Sequence, residues 1–239
     1  MDALFVEERF CGPPGTGNGG YVCGRLAARI SASAVEVTLR QPVPLMRPLA
    51  AEVMPDATVM LRDADTIIAE AKPQTAFEIE PPLVPTYQDA LRAMPRYLGF
   101  TRHAFPRCFV CGPSRQEGDG LRIFAGSLDG LEHTVVAPWT PDGSLADMDG
   151  RIQPEFIWAA LDCPGAFAVM DKRPRSMLLG RMTARISSSV RAEQPHVVLA
   201  WRIAVEGKKH IAGSALFHQQ GEVKGVAKAI WFDVSTSAP

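Results

Sequence analysis

The chain has 239 residues, 46% of them hydrophobic and 21% charged, with a formal net charge of −1, which suits one large domain or two smaller ones, either with a substantial core. No basic excess and no arginine-rich aromatic stripe point to nucleic acid. No run approaches the roughly 18 apolar residues a membrane helix needs, and the start MDALFVEERF lacks the basic and apolar regions of a signal peptide, so a soluble cytoplasmic protein is expected.

Ala3–Phe10 reads as a strand and Cys11–Gly20 as a turn-rich loop of glycines and prolines. Residues 18–30, NGGYVCGRLAARI, set Tyr21, Val22, Leu26 and Ile30 at near-helical spacing and predict a first helix. Ala34–Leu39 alternates, with Val35, Val37 and Leu39 on one face; Leu49–Leu61 and Thr66–Ile79 follow as strands around a polar turn at 62–65. Pro42, Pro44, Pro48 and Pro55 mark strand ends or edges, because proline cannot donate to a ladder. Residues 81–107, with Pro81, Pro82, Pro85, Pro95 and Pro106 around a short helical stretch at Tyr87–Met94, read as a linker. The second half restarts with strands at Leu121–Phe124 and His133–Ala137 and a polar loop at Thr140–Gly150. A second helix then covers 154–170, PEFIWAALDCPGAFAVM, apolar on most sides. Strands follow at Leu178–Ser188, Val197–Val205, His210–His218 and Val223–Val234. A helix apolar nearly all round must be wrapped, and a curved antiparallel sheet is the simplest wrapper. The order strand, helix, meander thus occurs twice, in units 1–80 and 108–239 joined by the linker 81–107; identity between the halves is slight, and the repeat rests on the order of elements.

This arrangement resembles the hotdog fold, and two copies in one chain resemble the double-hotdog acyl-CoA thioesterases. The resemblance is carried by the helix entry Gly19-Gly20-Tyr21-Val22 and by the apolar second helix with an embedded acid, Trp158-Ala159-Ala160-Leu161-Asp162. Cys108-Phe109-Val110-Cys111-Gly112-Pro113, with Gly118-Asp119-Gly120-Leu121, is similar to the CxxCG opening of single-hotdog thioesterase-like proteins. The fold class implied is α+β, a double hotdog with two curved antiparallel sheets each wrapped around a central helix. In the family the helices meet between the two units, and the acyl-CoA thioester lies there. Gly19 and Gly20, with Asn18 as N-cap, would then offer backbone N–H groups and a positive helix end to an oxyanion, with Tyr21 and Trp158 on the substrate side. A tight turn before a helix accounts for the same glycines equally well. Asp162 matches the family's catalytic carboxylate, which orients or activates water. It can also be read as an N-cap, since Pro164 disfavours helix just before it, so that Asp162 ends one helix and begins another. Glu155 reads as a charge complementing a positive helix end. Thr183 is the candidate hydroxyl partner. The glutamine that completes the family's water site would fall near Lys228, and no glutamine follows Gln220, so that site is incomplete.

Gly12-Pro13-Pro14-Gly15-Thr16-Gly17 copies the opening of a nucleotide-binding loop, but Asn18 and Gly19 stand where lysine and a hydroxyl residue are needed. The cysteines, Cys11, Cys23, Cys108, Cys111 and Cys163, are odd in number and read as reduced thiols. Cys108 and Cys111 form the sole CxxC; a closed zinc site needs four ligands, so His103, Cys11 or Cys163 would have to approach in space, and buried thiols without metal are favoured. Hotdog hydratases place a histidine five residues after the acid, where this chain has Phe167. The expectation is an acyl-CoA thioesterase needing no cofactor and no metal. The alternative is a non-catalytic module that binds acyl-CoA or another hydrophobic ligand. The acyl group is not fixed by the sequence, and a homo-oligomer is compatible with it.

Overall fold

Alternating apolar residues and two apolar helices put the chain into the expected order, described by a computed structural model over residues 2–171 and 173–235. The outer limits of the two expected units, residues 1 and 239, lie outside the described residues. The first half runs β1 (Asp2–Phe5), α1 (Gly19–Ala27), β2 (Ala34–Leu39), β3 (Pro48–Val53), β4 (Val59–Asp63) and β5 (Thr66–Gln74). The helix α2 (Tyr87–Ala93) falls in the proline-rich segment, capped by Thr86, whose Oγ1 accepts the Asp89 N–H at 3.1 Å. The second half runs β6 (Gly126–Ser127), β7 (Thr134–Trp139), α3 (Pro154–Val169), β8 (Met177–Ile186), β9 (His196–Glu206), β10 (Lys209–His218) and β11 (Val223–Asp233). Among the described residues no helix is long and apolar enough to cross a membrane.

The strands form a single eleven-stranded sheet, not two, in the order β1-β3-β4-β5-β2-β8-β11-β10-β9-β7-β6, with every neighbouring pair antiparallel. The reason is the edge: β2 and β8 each end their own half-sheet with unpaired backbone groups, and pairing them removes both exposed edges. In the seam Val35 faces Ala184, Glu36 Thr183, Val37 Met182, and Thr38 Arg181. Val35, Val37, Met182 and Ala184 are buried on the helix side. Their neighbours form a polar row on the other face, where Arg181 Nε donates to Thr38 Oγ1 at 3.0 Å and Thr183 Oγ1 to Glu36 Oε2 at 3.4 Å.

On the inner side α1 packs along α3, and α3 crosses β7 to β11. A Cβ at Gly20 would meet Asp162 and Trp158, and one at Gly24 would meet Glu155 and Trp158. As α1 advances, its contacts move back along α3, so the helices run antiparallel with backbones close enough to need glycine.

Four local expectations change. The strand expected over Ala3–Phe10 ends at Phe5, and Glu8–Phe10 is a turn of 3-10 helix. Leu49–Leu61 is a hairpin, broken at Pro55-Asp56-Ala57 where Asp56 Oδ1 accepts the Thr58 N–H at 3.0 Å. Leu121–Phe124 is no strand of the sheet; its Leu121 and Ile123 N–H groups donate to Phe109 O at 2.8 Å and Val110 O at 2.9 Å, tying it to the CxxC turn. Pro164 does not divide the second helix, which is continuous from Pro154 to Val169, so Asp162 is no N-cap. An interior proline costs a helix about 3 kcal/mol; here almost every side of α3 is buried, and packing outweighs that cost.

Candidate functional site

Asp162 is 2% exposed and sits mid-helix on α3, facing the start of α1. Its Oδ2 accepts the Gly20 N–H at 2.9 Å and the Asn18 Nδ2 at 3.1 Å. Asn18 is the N-cap of α1, and its Oδ1 accepts the Tyr21 N–H at 2.9 Å. One asparagine therefore closes a helix end and holds the acid of the other half. Asp162 Oδ1 is buried with no hydrogen-bond partner among the described residues. Burial pushes its carboxyl up to about 7, with the Cys108 charge adding to the rise and the Gly20 and Asn18 donors opposing it. Since Gly20 and Tyr21 already donate, the Gly19 N–H is the one at the head of α1 that makes no hydrogen bond among the described residues.

Beside this carboxylate opens a cavity of about 440 Å³, lined from both halves: Asn18, Gly19 and Leu39 from the first, Asp162, Leu179 and Trp231 from the second. Toward the end of α3 its wall is apolar, with Ala166, Met170 and Met177. Arg102, exposed and in no ion pair among the described residues, lies on the lining, as do Arg40 and Arg175, which pair with Glu70 and Asp233.

Of the candidate residues, Asn18, Gly19, Gly20 and Asp162 are brought together. The other three are not. Thr183 is on the opposite face of the sheet with Glu36, since a strand turns alternate residues to opposite faces and its neighbours Met182 and Ala184 take the inner one. Lys228, opposite Thr183 in the register, is likewise exposed. Tyr21 stacks on Phe10 at 4.3 Å within an aromatic cluster completed by Phe109 and Phe156. Trp158 lines a separate hollow of about 100 Å³ formed by Ala27, Ile30 and Pro154 at the other end of the helix pair. Glu155 makes an ion pair with Arg25 at 3.8 Å.

Of the three residues the sequence offered as partners for the CxxC, namely His103, Cys11 and Cys163, the structure groups Cys163 with it on the same wall. Cys108, Cys111 and Cys163, all buried, bring their sulfur atoms within 4.8 Å of one another. Cys108 and Cys163 are 3.6 Å apart. Asn18 Nδ2 points at both, 3.8 Å from Cys108 and 3.7 Å from Cys163. The signal was the CxxC itself together with a third cysteine beside the candidate acid. Cys108, accepting from Cys111 and Cys163, has its thiol pKa lowered, whereas burial raises Cys111 and hydrogen bonding to Cys108 raises Cys163.

No protein-family model matches the chain, and no curated protein matches it. Solved structures do. A tesB protein of Mycobacterium avium subs paratuberculosis is 14% identical, with a TM-score of 0.58 over 92% of this chain and 89% of its own. A hot dog fold protein of unknown function from Alicyclobacillus acidocaldarius is 13% identical, with a TM-score of 0.58 over 100% of this chain and 96% of its own. A thioesterase candidate from Novosphingobium aromaticivorans is 12% identical, with a TM-score of 0.62 over 96% of this chain and 94% of its own. At such identities the likeness is one of fold: the chain has the hotdog fold, its order of elements given twice.

Proposed function

We propose that this hotdog-fold chain is an acyl-CoA thioesterase with one site, where the head of α1 meets α3. The observation that carries the reading is Asp162, a buried carboxylate held through one oxygen by Gly20 and Asn18 beside a cavity whose wall toward the end of α3 is apolar. The wall formed by Met170, Met177 and Trp231 suits an acyl chain, and the Arg102 guanidinium suits a phosphate of CoA. Water attacks the thioester carbonyl while Asp162 accepts its proton. The Gly19 N–H and the positive end of α1 stabilise the resulting oxyanion. Collapse of the tetrahedral intermediate re-forms the carbonyl and breaks the carbon–sulfur bond, and the CoA thiolate takes up the proton.

A second reading, a module that binds acyl-CoA without turnover, is favoured by the hydrogen bond of Thr183 to Glu36 and the exposure of Lys228, which keep the expected hydroxyl and glutamine positions of the water site away from Asp162. Release of CoA from a panel of acyl-CoAs of increasing chain length separates the two. Hydrolysis predicts turnover of at least one chain length, and a loss of about 100-fold or more in kcat for Asp162→Asn with an unchanged far-UV spectrum. Binding of every acyl-CoA without CoA release, or full activity in Asp162→Asn, overturns it.

A further inference from the structure

We infer that Cys108, Cys111 and Cys163 form a binding site for a thiophilic divalent metal of the zinc class, with the fourth coordination position opening on the cavity beside Asp162. This inference goes beyond the hydrolytic reading and does not depend on it.

A zinc ion about 2.3 Å from each of three tetrahedrally disposed sulfurs separates them by about 3.8 Å. The Cys108–Cys163 distance is 3.6 Å, and the whole trio fits within 4.8 Å, so rotamer-scale adjustments close the site. The sulfurs come from two elements that do not move freely. Cys163 is on α3; Cys108 and Cys111 are on a turn where the Gly112 N–H donates to Cys108 O at 2.9 Å. A Cβ at Gly112 would come within 2.6 Å of the Cys108 nitrogen and the Pro106 oxygen, so the turn needs glycine there. Arg115, 5% exposed, pins the segment further by donating to Arg107 O at 2.8 Å and Arg9 O at 2.6 Å.

Polar groups surround the sulfurs. N–H donors aim at sulfur: Asn18 Nδ2 at Cys108 and Cys163, and the backbone of Val110 and Cys111 at Cys108. Thiolates gathered in a buried place need a cation, and thiolate sulfur selects zinc-like metals over magnesium or calcium. Asp162 Oδ1, buried and unpartnered, belongs to the same wall, its Oδ2 4.0 Å from Cys163 Sγ. His103 also lines the cavity, but its Nδ1 accepts the Phe105 N–H at 2.9 Å, which leaves the proton of the neutral ring on Nε2 and makes that nitrogen a donor, not a ligand. Binding releases the thiol protons to solvent and changes no oxidation state.

The test is metal content and cobalt spectroscopy on the full chain. Protein purified from zinc-supplemented culture is expected to carry about one zinc per chain. Reduced, metal-free protein titrated with cobalt(II) is expected to develop sulfur-to-cobalt charge transfer and the visible bands of a tetrahedral centre, saturating at one equivalent. Cys108→Ser and Cys163→Ser should each lower bound zinc at least 10-fold, and Cys23→Ser should leave it unchanged. Unchanged zinc in Cys163→Ser overturns the assignment. If the serine variants do not fold, the unmodified chain decides: no cobalt bands and no bound zinc in reduced protein, with all five thiols recovered by a thiol reagent on denaturation, overturn it. Neither readout uses a substrate, so failure here leaves the hydrolysis experiment standing, and the reverse.

Discussion

A methyl group added at Gly20 would sit 2.4 Å from Asp162 Cβ and 2.8 Å from the Trp158 carbonyl oxygen, and both neighbours belong to a buried helix with no room to retreat. Gly20→Ala is therefore expected to push α1 off α3 and lengthen the N–H bond to Asp162, at a cost of about 2–3 kcal/mol. Urea denaturation measures it; a change of under about 0.5 kcal/mol would mean the helices are not locked at this point. Asn18→Ala is a separate case. It removes the cap of α1, worth about 1 kcal/mol, and one of the two donors on Asp162, so activity should fall further than stability alone accounts for. The cap and the acid were both legible from their immediate neighbours, because an asparagine before a helix and a carboxylate among apolar residues signal locally. That Gly20 and Asp162, 142 positions apart, are partners is a fact about helix packing, which no local pattern carries. The same holds for Cys163 and the CxxC turn.

At the scale of elements, β9 carries a residue with a measurable pH signature. His196 is buried beside Trp139 and His218, its Nδ1 donating to Gln194 O at 2.7 Å, and burial holds its pKa down to about 4 against the opposing bond to Gln194, with His218 and Lys224 lowering it further. The unfolded ring titrates near 6.5, so between about 4 and 6.5 the unfolded chain binds the extra proton. The stability due to neutral His196 is thus full above about pH 6.5 and declines as pH falls toward 4, by about 3 kcal/mol in all. Urea midpoints at pH 7.5 and 4.5 should show this drop, and His196→Phe should flatten it; an equal slope in the variant would assign the pH dependence elsewhere. Strand positions such as β2 and β10 follow directly from alternation and turn residues. Alternation also fixed that Thr183 and Met182 face oppositely, but not which of them faces the helices, and the candidate hydroxyl fell on the wrong side for that reason. Pro164 shows the complementary case, a local breaker overruled by burial.

For the whole molecule, the seam between β2 and β8 joins two half-cores into one, with Val37 and Met182 buried side by side. Far-UV and near-UV signals should therefore lose structure together in urea, at one midpoint; two separated transitions would show that the halves melt independently. The repeat was readable in the sequence because each half keeps the same order of elements. The join was not, since edge pairing across halves leaves no periodic trace. Joining also changes what substitution can do. In a two-fold pair of identical chains every replacement enters both sites at once, so each helix must serve as glycine-bearing head and as acid-bearing partner. Within one chain the two ends of the helix pair are independent. The end with Asn18, Gly19 and Asp162 holds the 440 Å³ cavity, while the end with Pro154 and Trp158 has closed to about 100 Å³. Covalent linkage leaves the two ends of the helix pair free to differ, one opening as a cavity and the other filled by packing.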